Sequence, residues 1–328
     1  MVLCRFEAAC DTAFLNRRLT TVIVGAIAGL AVLLPAAARA TFPGKNGMIV
    51  ALFSNFGYGN DARAIFEGIQ PNGHGRRIYW CTEFVGGCGD QIENPSISPD
   101  GKQLAFDGGI ETDSYINQNE ITLLRFGKFG LEVLPFASNS SSENDAAPSW
   151  VKGQNKVVFG VSSDDGSVDA GLESEGLNGK GAKLVVACGN CGQPAVSPNG
   201  LRMLYDNGSA LWGAEIDGSN QTLVAADGSD GSWAPNGKRI AFVSGGSVYV
   251  STPASGAPRL LAIKASDPVW SPNGRLIAYA VNGTTKGGGL VERLFTRPSG
   301  GGKAHRLFTE TIKAGGSTFG GMDWQALP

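Results

Sequence analysis

The carboxylates best placed to bind a cation lie in one acidic segment. Asp164, Asp165 and Asp169 stand close together in the chain, and Glu173 and Glu175 follow a few residues later. Calcium binds several carboxylate oxygens at once, so this segment is a candidate calcium site. Because it lacks the alternating Asp-x-Asp-x-Asp-Gly order of a calcium-binding loop, we expect a solvated acidic loop and no bound cofactor, with calcium as the alternative.

The two histidines, His74 and His305, are the other candidates for catalysis or metal binding. His74 lies in Asn-Gly-His-Gly, which is typical of a turn, and His305 lies in a segment typical of the exposed start of an outer strand. A serine hydrolase would need a Gly-x-Ser-x-Gly pentapeptide beside a triad histidine, and the sequence contains no such pentapeptide. We therefore predict surface histidines, no metal site and no catalytic residues.

The first 40 residues predict export. Arg17 and Arg18 precede an uncharged, apolar run over residues 19–34, and the segment ends in Ala38-Arg39-Ala40. A basic start, an apolar centre and a small-x-small site are the three parts of a secretory signal peptide. We predict a signal peptide over residues 1–40 that is cleaved after Ala40, a secreted protein (periplasmic or extracellular) and no membrane span after cleavage. An uncleaved membrane anchor is the alternative.

Export changes the expected chemistry of the cysteines. Cys4 and Cys10 belong to the signal segment, which leaves four cysteines in the exported chain. An even number of cysteines in an oxidising compartment favours disulfides. Three pairings are open, and the simplest joins neighbours in the sequence, Cys81 with Cys88 and Cys188 with Cys191. A zinc site and a redox-active Cys-x-x-Cys motif are the alternatives.

A glycine-rich segment supplies the candidate binding residues. Phe56 and Tyr58 lie near Asp61 and Arg63, and Phe66 follows. Exposed aromatic rings beside polar groups suit contact with a protein or a glycan. The alternative is that the rings fold beneath the segment.

Charge and composition exclude two classes of protein. The net charge is −2 and no basic stripe interrupts the chain, which argues against nucleic acid as a partner. The 48 glycines follow no three-residue period, and 42% of the residues are apolar, which argues against a collagen or a disordered chain. The chain has enough apolar residues for a large core.

A repeat dominates the sequence after the predicted signal. Five segments, which begin at residues 95, 148, 194, 231 and 268, align with the pattern Pro-x-[Trp/aliphatic]-Ser-Pro-[Asp/Asn]-Gly followed by a short apolar run, and those at 95, 194 and 268 match it in full. Gly200, Gly237 and Gly274 are spaced by 37 residues. Ser-Pro-[Asp/Asn]-Gly is typical of a turn because proline presets φ and glycine accepts a positive φ. Runs such as Ile240-Ala-Phe242 predict the strands that follow.

About four short strands in each repeat predict a β-propeller of four-stranded antiparallel blades. Near the C-terminal end of the repeat array, residues 322–325 are typical of the first strand of a blade. Near its N-terminal end, residues 48–52 are typical of the second strand of a blade whose first strand is missing. Joining them closes the ring, so we predict one all-β domain over residues 41–328 with six blades. Five or seven blades are the alternatives because residues 161–183 do not divide clearly into strands. The repeated residues themselves are explained by folding.

The pattern Pro-x-Trp-Ser-Pro-[Asp/Asn]-Gly-[Lys/Arg]-x-Ile-Ala-[Phe/Tyr] resembles the repeat of TolB-family propellers from bacterial export compartments. The resemblance is strongest over residues 231–279 and weakest over 148–193, where Lys152-Gly-Gln replaces Pro-Asp-Gly. It implies a six-bladed propeller that binds other envelope proteins. We therefore predict an exported, monomeric scaffold that binds an envelope or extracellular protein or glycan. The alternative is a propeller lyase, lactonase or hydrolase with a metal-assisted site at the central channel.

Overall fold

The structure is a computed structural model that describes residues 39–55, 65–80, 92–108, 121–127, 131–134, 144–162, 170–253, 257–284, 290–311 and 317–328. These residues form β-strands joined by turns, with no α-helix among them. A membrane-spanning helix is accordingly absent from the described ranges. Residues 1–38 lie outside these ranges, so the signal peptide, its cleavage and the domain boundary at residue 41 stay predictions.

Twenty-four of the described strands form six antiparallel blades, and the strands of each blade follow one another from the innermost outwards. Blade 1 contains β25 (Ser317–Leu327), β2 (Lys45–Asn55), β3 (Ile65–Ile69) and β4 (Arg77–Trp80). Blade 2 contains β5 (Glu93–Ile97), β6 (Gln103–Asp107), β7 (Ile121–Phe126) and β8 (Leu131–Leu134). Blade 3 contains β9 (Asn144–Val151), β10 (Lys156–Ser162), β11 (Gly171–Gly176) and β12 (Lys180–Ala187).

The other three blades repeat this order. Blade 4 contains β13 (Cys191–Val196), β14 (Arg202–Asn207), β15 (Ala210–Glu215) and β16 (Thr222–Ala225). Blade 5 contains β17 (Ser229–Trp233), β18 (Ile240–Ser244), β19 (Ser247–Ser251) and β20 (Arg259–Ile263). Blade 6 contains β21 (Ser266–Trp270), β22 (Leu276–Thr284), β23 (Leu290–Pro298) and β24 (His305–Thr311). A short strand β1 (Arg39–Ala40) stands apart from this pattern.

The six innermost strands contact one another in a closed ring: β25, β5, β9, β13, β17, β21 and again β25. The C-terminal strand β25 pairs antiparallel with β2, with Leu327 opposite Lys45 and Trp324 opposite Ile49. One strand from the C-terminal end therefore completes the blade that begins the propeller. The predicted fold is confirmed in its class, its six blades and the way in which the ring closes. The described part of residues 161–183, a range that the sequence leaves ambiguous, contributes to blade 3.

The repeated turn has the predicted geometry. Its glycine has positive φ in four blades, at 69°, 73°, 66° and 70°, and its amide donates a hydrogen bond to the residue three positions earlier, as from Gly274 to Ser271 at 2.7 Å. The hydroxyl of Ser271 donates to Asn273 Oδ1 and accepts from the amide of Leu276. These turns all join an innermost strand to the second strand of its blade. We call this side of the ring the turn end.

The opposite side of the ring has a feature that the sequence pattern does not reveal. Each innermost strand is bulged near its start. The bulge holds a residue with positive φ in every blade: Asn94, Ala147, Gln193, Asp230, Asp267 and, in blade 1, Gly321. A left-handed backbone disfavours most side chains, and Asn and Asp tolerate it best. We call this side of the ring the bulge end.

Apolar side chains fill the spaces between neighbouring blades, as expected for a propeller. Trp150 packs against blade 2 and its Nε1 donates to the Ser96 carbonyl at 2.9 Å. Trp233 packs against blade 4 and its Nε1 donates to the Ala195 carbonyl at 3.0 Å. The repeated tryptophan therefore joins adjacent blades, which confirms that its role is structural.

Residues 39–44 run across the turn end of the central channel. β1 pairs parallel with the innermost strand β17, with Ala40 opposite Trp233. Phe42 is buried in a cluster that includes Trp150 and Ala326 from other blades, and the Gly44 amide donates to the Pro272 carbonyl at 3.3 Å. This segment adds a fifth strand to blade 5, which the sequence did not predict, and it obstructs the channel on that side. The predicted cleavage after Ala40 would remove β1 and leave residues 41–44.

Close approach between blades predicts a large effect of one glycine substitution. Gly218 has φ +86°, and a Cβ there would clash with the Val185 carbonyl oxygen of blade 3. Gly218→Ala should cost roughly 1–2 kcal/mol for the left-handed backbone and about 1–3 kcal/mol more for overpacking. Gly237→Ala is the control, because Gly237 has φ +66° but no atom within 4 Å of its Cβ position. Urea unfolding of both variants measures the difference, and equal losses would contradict the close approach.

Candidate binding site

Basic residues recur at one end of the propeller. A basic residue stands at, or directly before, the first residue of the second strand in every blade: Lys45, Lys102, Lys156, Arg202, Arg239 and Arg275. Because these strands all begin after the repeated turn, the basic residues lie at the turn end. Two of them, Arg202 and Arg239, lie over the rings of Trp233 and Trp270, at 5.0 Å and 4.7 Å from the ring centroids.

Carboxyl groups gather at the bulge end instead. In blade 2, the side-chain Nδ2 of Asn94 donates to Asp107 Oδ2 at 2.8 Å. Between blades 4 and 5, the Asp230 backbone amide donates to Asp206 Oδ2 at 3.2 Å. Burial raises the pKa of Asp206 well above its usual value, and the hydrogen bond from Asp230 opposes this only in part. These acids lie at the ends of second strands and at the bulges, so the repeat itself brings them to one side.

The seam between blades 1 and 6 contains an ion-pair network. Arg76 donates to Glu67 through Nε at 3.0 Å and to Glu310 through Nη2 at 2.6 Å. Its guanidinium also lies over the ring of Phe308, 4.9 Å from the centroid. Glu67 is 2% exposed, and burial raises its pKa although Arg76 lowers it. One arginine thus links a buried and a half-exposed carboxylate across the two blades.

Three further carboxyl groups influence one another at the bulge end of this seam. Glu292 lies near the start of the third strand of blade 6 and is 1% exposed. Burial, and next the charge of Asp267, raise the pKa of Glu292 to about 8, although Arg293 lowers it. Burial and the charge of Asp267 also raise the pKa of Glu93, which lies across blade 1. Blade 1 has Gly320 and Gly321 between these acids, so no side chain of that innermost strand separates them there.

Most candidate residues from the sequence lie outside the described residues. This holds for the aromatic segment with Phe56, Tyr58, Asp61 and Arg63, for Cys81 and Cys88, and for Asp164, Asp165 and Asp169. Their proposed roles stay predictions. Phe66, considered with that aromatic segment as a contact residue, is 1% exposed and its ring packs edge-on against Phe106 at 5.3 Å. For Phe66 the buried alternative is therefore correct, because its strand turns it into the core between blades 1 and 2.

The remaining candidates are strand or turn residues. Glu173 and Glu175 are on β11 rather than in a solvated loop, and Glu175 is fully buried. His305 is exposed at the start of the outer strand β24, and His74 is exposed in the turn before β4, as predicted. The turn around Gly73 lies against His305, so the structure brings the two histidines to one area of the turn end. Among the described residues, no three His, Cys, Asp or Glu side chains are grouped to hold a metal ion.

Cys188 and Cys191 are close enough for the predicted disulfide, with their Cα atoms 5.7 Å apart. They flank the connection from blade 3 to blade 4 at the bulge end, and both are half-buried. A bridge over so short a loop stabilises by roughly 2 kcal/mol on the chain-entropy account. Replacing both cysteines by serine should lower the free energy of unfolding by about that amount, measured by urea unfolding. Alkylation of both thiols without prior reduction would contradict the bridge.

The comparisons with known proteins concern the fold. No protein-family model matches the chain, and no curated protein is similar to it in sequence. TolB from Acinetobacter baumannii is similar in structure, with a TM-score of 0.61 and 16% identity over 87% of this chain and 68% of that one. A putative TolB from Agrobacterium tumefaciens has a TM-score of 0.57 and 14% identity over 81% of this chain and 90% of that one.

An oligogalacturonate lyase in complex with manganese gives a TM-score of 0.48 and 13% identity over 83% of this chain and 86% of that one. Similarity at this level supports no argument about activity. The repeat, the six closed blades and the two TolB comparisons agree with one another. The chain therefore has the TolB-like β-propeller fold.

Proposed function

We propose that this protein is an exported binding module that docks a partner protein, through a basic surface of that partner, on its bulge end. The observation that carries the proposal is the placement of charge. A basic residue stands at or directly before the start of every second strand at the turn end, where Asp100 and Asp217 also lie. Buried and half-buried carboxyl groups gather at the bulge end, beside the exposed Lys264. A charge distribution of this kind orients a charged partner before contact and speeds its association.

The segment that crosses the turn end also favours docking at the bulge end. Residues 41–44, which remain after the predicted cleavage, lie across the turn end, where Phe42 is buried and the Gly44 amide donates to the Pro272 carbonyl. A ligand that uses the channel would therefore approach from the bulge end. The connections there join one blade to the next or the second strand of a blade to its third, and they carry exposed polar residues such as Asp227 and Ser209. Loops on a rigid scaffold are the usual place for binding residues.

A propeller enzyme is the second candidate, and Glu292 is the observation that favours it. A carboxyl group with a pKa of about 8 beside a second carboxyl is suited to general acid catalysis. A general acid must come within hydrogen-bond distance of the reacting atom, and Glu292 is only 1% exposed. Any ligand, reacting or not, must therefore enter the seam to reach it. Substrate turnover by the wild type that Glu292→Gln abolishes would favour the enzyme instead.

Charge reversal at either end tests the docking surface. Asp227 is exposed at the bulge end, and Asp217 is exposed in a turn at the turn end. Immobilised Asp227→Lys protein should recover at least fivefold less partner from an envelope extract than the wild type, because like charges now face each other. Asp217→Lys should recover as much as the wild type. Equal recovery by all three proteins, or a loss only with Asp217→Lys, would contradict the proposal.

A further inference from the structure

The strand register places Glu292 inside the seam between blades 1 and 6. Leu294, two residues along β23, packs in the core cluster shared by these two blades. Side chains two residues apart on a strand point to the same face, so Glu292 also faces blade 1. It lies directly opposite Glu310 on β24. One step along the same pair of strands, Leu294 lies opposite Phe308. An apolar layer therefore adjoins an acidic layer within the seam.

The charged groups around Glu292 leave an excess of acid. Five elements supply them: Asp267 from β21, Arg293 from β23 itself, Glu310 from β24, Glu67 from β3 with Arg76 just before β4, and Glu93 from β5. Arg76 already bonds two carboxylates, and Arg293 donates to the Thr284 carbonyl at 3.3 Å. Oε1 of Glu292 is buried without a hydrogen-bond partner. Within the described part of the seam, two cations thus face five carboxyl groups, and neither of them is bonded to Glu292.

Arg76 shows what kind of group this seam recognises. Its guanidinium lies on the face of Phe308 while it donates to two carboxylates. Phe308 in turn contacts Phe53, which contacts Phe319, with ring centroids 6.2 Å and 5.3 Å apart. Carboxylates next to aromatic faces suit an organic cation, because the ring face and the carboxylates both attract positive charge and the acids accept its N–H donors.

We propose that the seam between blades 1 and 6 binds a primary ammonium group at Glu292, beside Asp267 and next to the Arg76–Phe308 contact. The group is either the side chain of a lysine on the docked partner or the end of a free polyamine. The site depends on the proposed function only if the group is a lysine of the docked partner. Access is from the solvent side of Glu310, since Glu310 and Arg76 are each about one-third exposed, at 31% and 35%.

A primary ammonium group explains the arrangement better than a metal ion does. Calcium needs six to eight oxygen ligands, and the described residues contain no cluster of three metal-binding side chains. A primary ammonium group on a narrow stem can bond to one buried carboxylate and turn its other N–H donors to neighbouring acceptors. Glu292 supplies that carboxylate: it lies opposite Glu310 on β24, and the charge of Asp267 acts on it.

Binding should be linked to proton release. With a pKa of about 8, Glu292 is mostly protonated at pH 7 in the absence of a cation. An ammonium beside it favours the ionised form, so the bound state has a lower pKa at this carboxyl. Each binding event near pH 7 therefore releases close to one proton, whereas a bond to an already ionised surface carboxylate would release none.

The test uses n-butylammonium chloride, which has the four-carbon stem of a lysine side chain. Calorimetric titration of the purified protein at pH 7 in phosphate and in MOPS, neither of which has a primary amine, should show saturable binding with release of about one proton. Glu292→Gln should weaken binding at least tenfold and abolish the release. The control is Glu175→Gln, a fully buried glutamate on the third strand of blade 3, which should bind like the wild type. Butyltrimethylammonium, which lacks N–H donors, should bind at least tenfold more weakly.

Carbon NMR of the glutamate carboxyls in the wild-type protein tests the proposal even if a variant does not fold. Addition of n-butylammonium should lower the pKa of the glutamate that has the highest pKa without it. No saturable binding, binding without proton release, equal binding by Glu292→Gln, or calcium binding at Glu292 without ammonium binding would overturn it. Titrations with spermidine and with a trilysine peptide distinguish the two sources of the ammonium group. Tighter binding of spermidine indicates a free polyamine, and tighter binding of trilysine indicates a lysine of the partner. If n-butylammonium does not bind but Asp227→Lys still loses the partner, this site fails and the proposed function stands.

Discussion

Glu292→Gln is expected to make the protein more stable at alkaline pH. The folded pKa of about 8 lies above the ordinary value of 4.5, so the unfolded chain ionises first as pH rises. The stabilisation that this carboxyl gives is complete below pH 4.5 and is lost as pH rises through 8. The loss is about 5 kcal/mol for a shift of this size. An amide has the shape of the protonated acid but does not ionise, so the variant should keep that stability.

Urea unfolding at pH 5, 7 and 9 measures this effect. The variant and the wild type should have similar free energies of unfolding at pH 5, and the variant should exceed the wild type by several kcal/mol at pH 9. Glu175→Gln is the matched control for a buried glutamate elsewhere, and it isolates the contribution of the blade 1–6 seam. Parallel pH profiles for Glu292→Gln and the wild type would show that Glu292 is ionised in the folded protein.

Trp324→Ala is expected to destabilise the closure of the ring. Trp324 is 2% exposed on the C-terminal strand, and its Nε1 donates to the Gly47 carbonyl at 3.2 Å. It packs in the cluster that joins blades 1 and 6. Replacing a buried tryptophan by alanine costs about 3–5 kcal/mol. Because β25 holds the two ends of the chain together, the loss should affect the unfolding of the whole propeller.

Trp212→Ala is the control for Trp324→Ala. Trp212 is half-buried on the third strand of blade 4, away from the closure, so its removal should cost roughly 1–2 kcal/mol. Guanidinium unfolding followed by fluorescence and by far-ultraviolet circular dichroism measures both variants. Equal losses in the two variants would contradict a special contribution of the closing strand.

The fold was predictable because each blade repeats the same local chemistry. Turn residues such as Gly237 and Gly274 need a positive φ, and the apolar run that follows them needs a strand. Trp324 matches Trp270 in this pattern, which indicated that the C-terminal strand closes the first blade. Local preference and repeat spacing together therefore determine the architecture. The strand β1 was not predictable, because two residues have no pattern of their own and pair with a distant strand.

The acidic site was not predictable for a different reason. Glu93, Asp267 and Glu292 are far apart in the sequence, and each occurs singly. They meet only because the ring brings blades 6, 1 and 2 together and because blade 1 has glycines between them. The one signal in the sequence is that Gly320 and Gly321 take the place of the polar pair Ser266 and Asp267 of blade 6. Acids that are adjacent in the sequence, such as Asp164 and Asp165, are easier to identify as a candidate site than acids that only the fold brings together.

Site-specific photo-crosslinking tests the central claim most directly. A benzophenone side chain is placed at Ser209, exposed at the bulge end of blade 4, or at Asn236, exposed in the turn of blade 5 at the turn end. Each protein is irradiated in an envelope extract. A basic partner protein crosslinked from position 209 and not from position 236 is the predicted result. Crosslinking from position 236 alone, or the same products from both positions, would contradict docking at the bulge end.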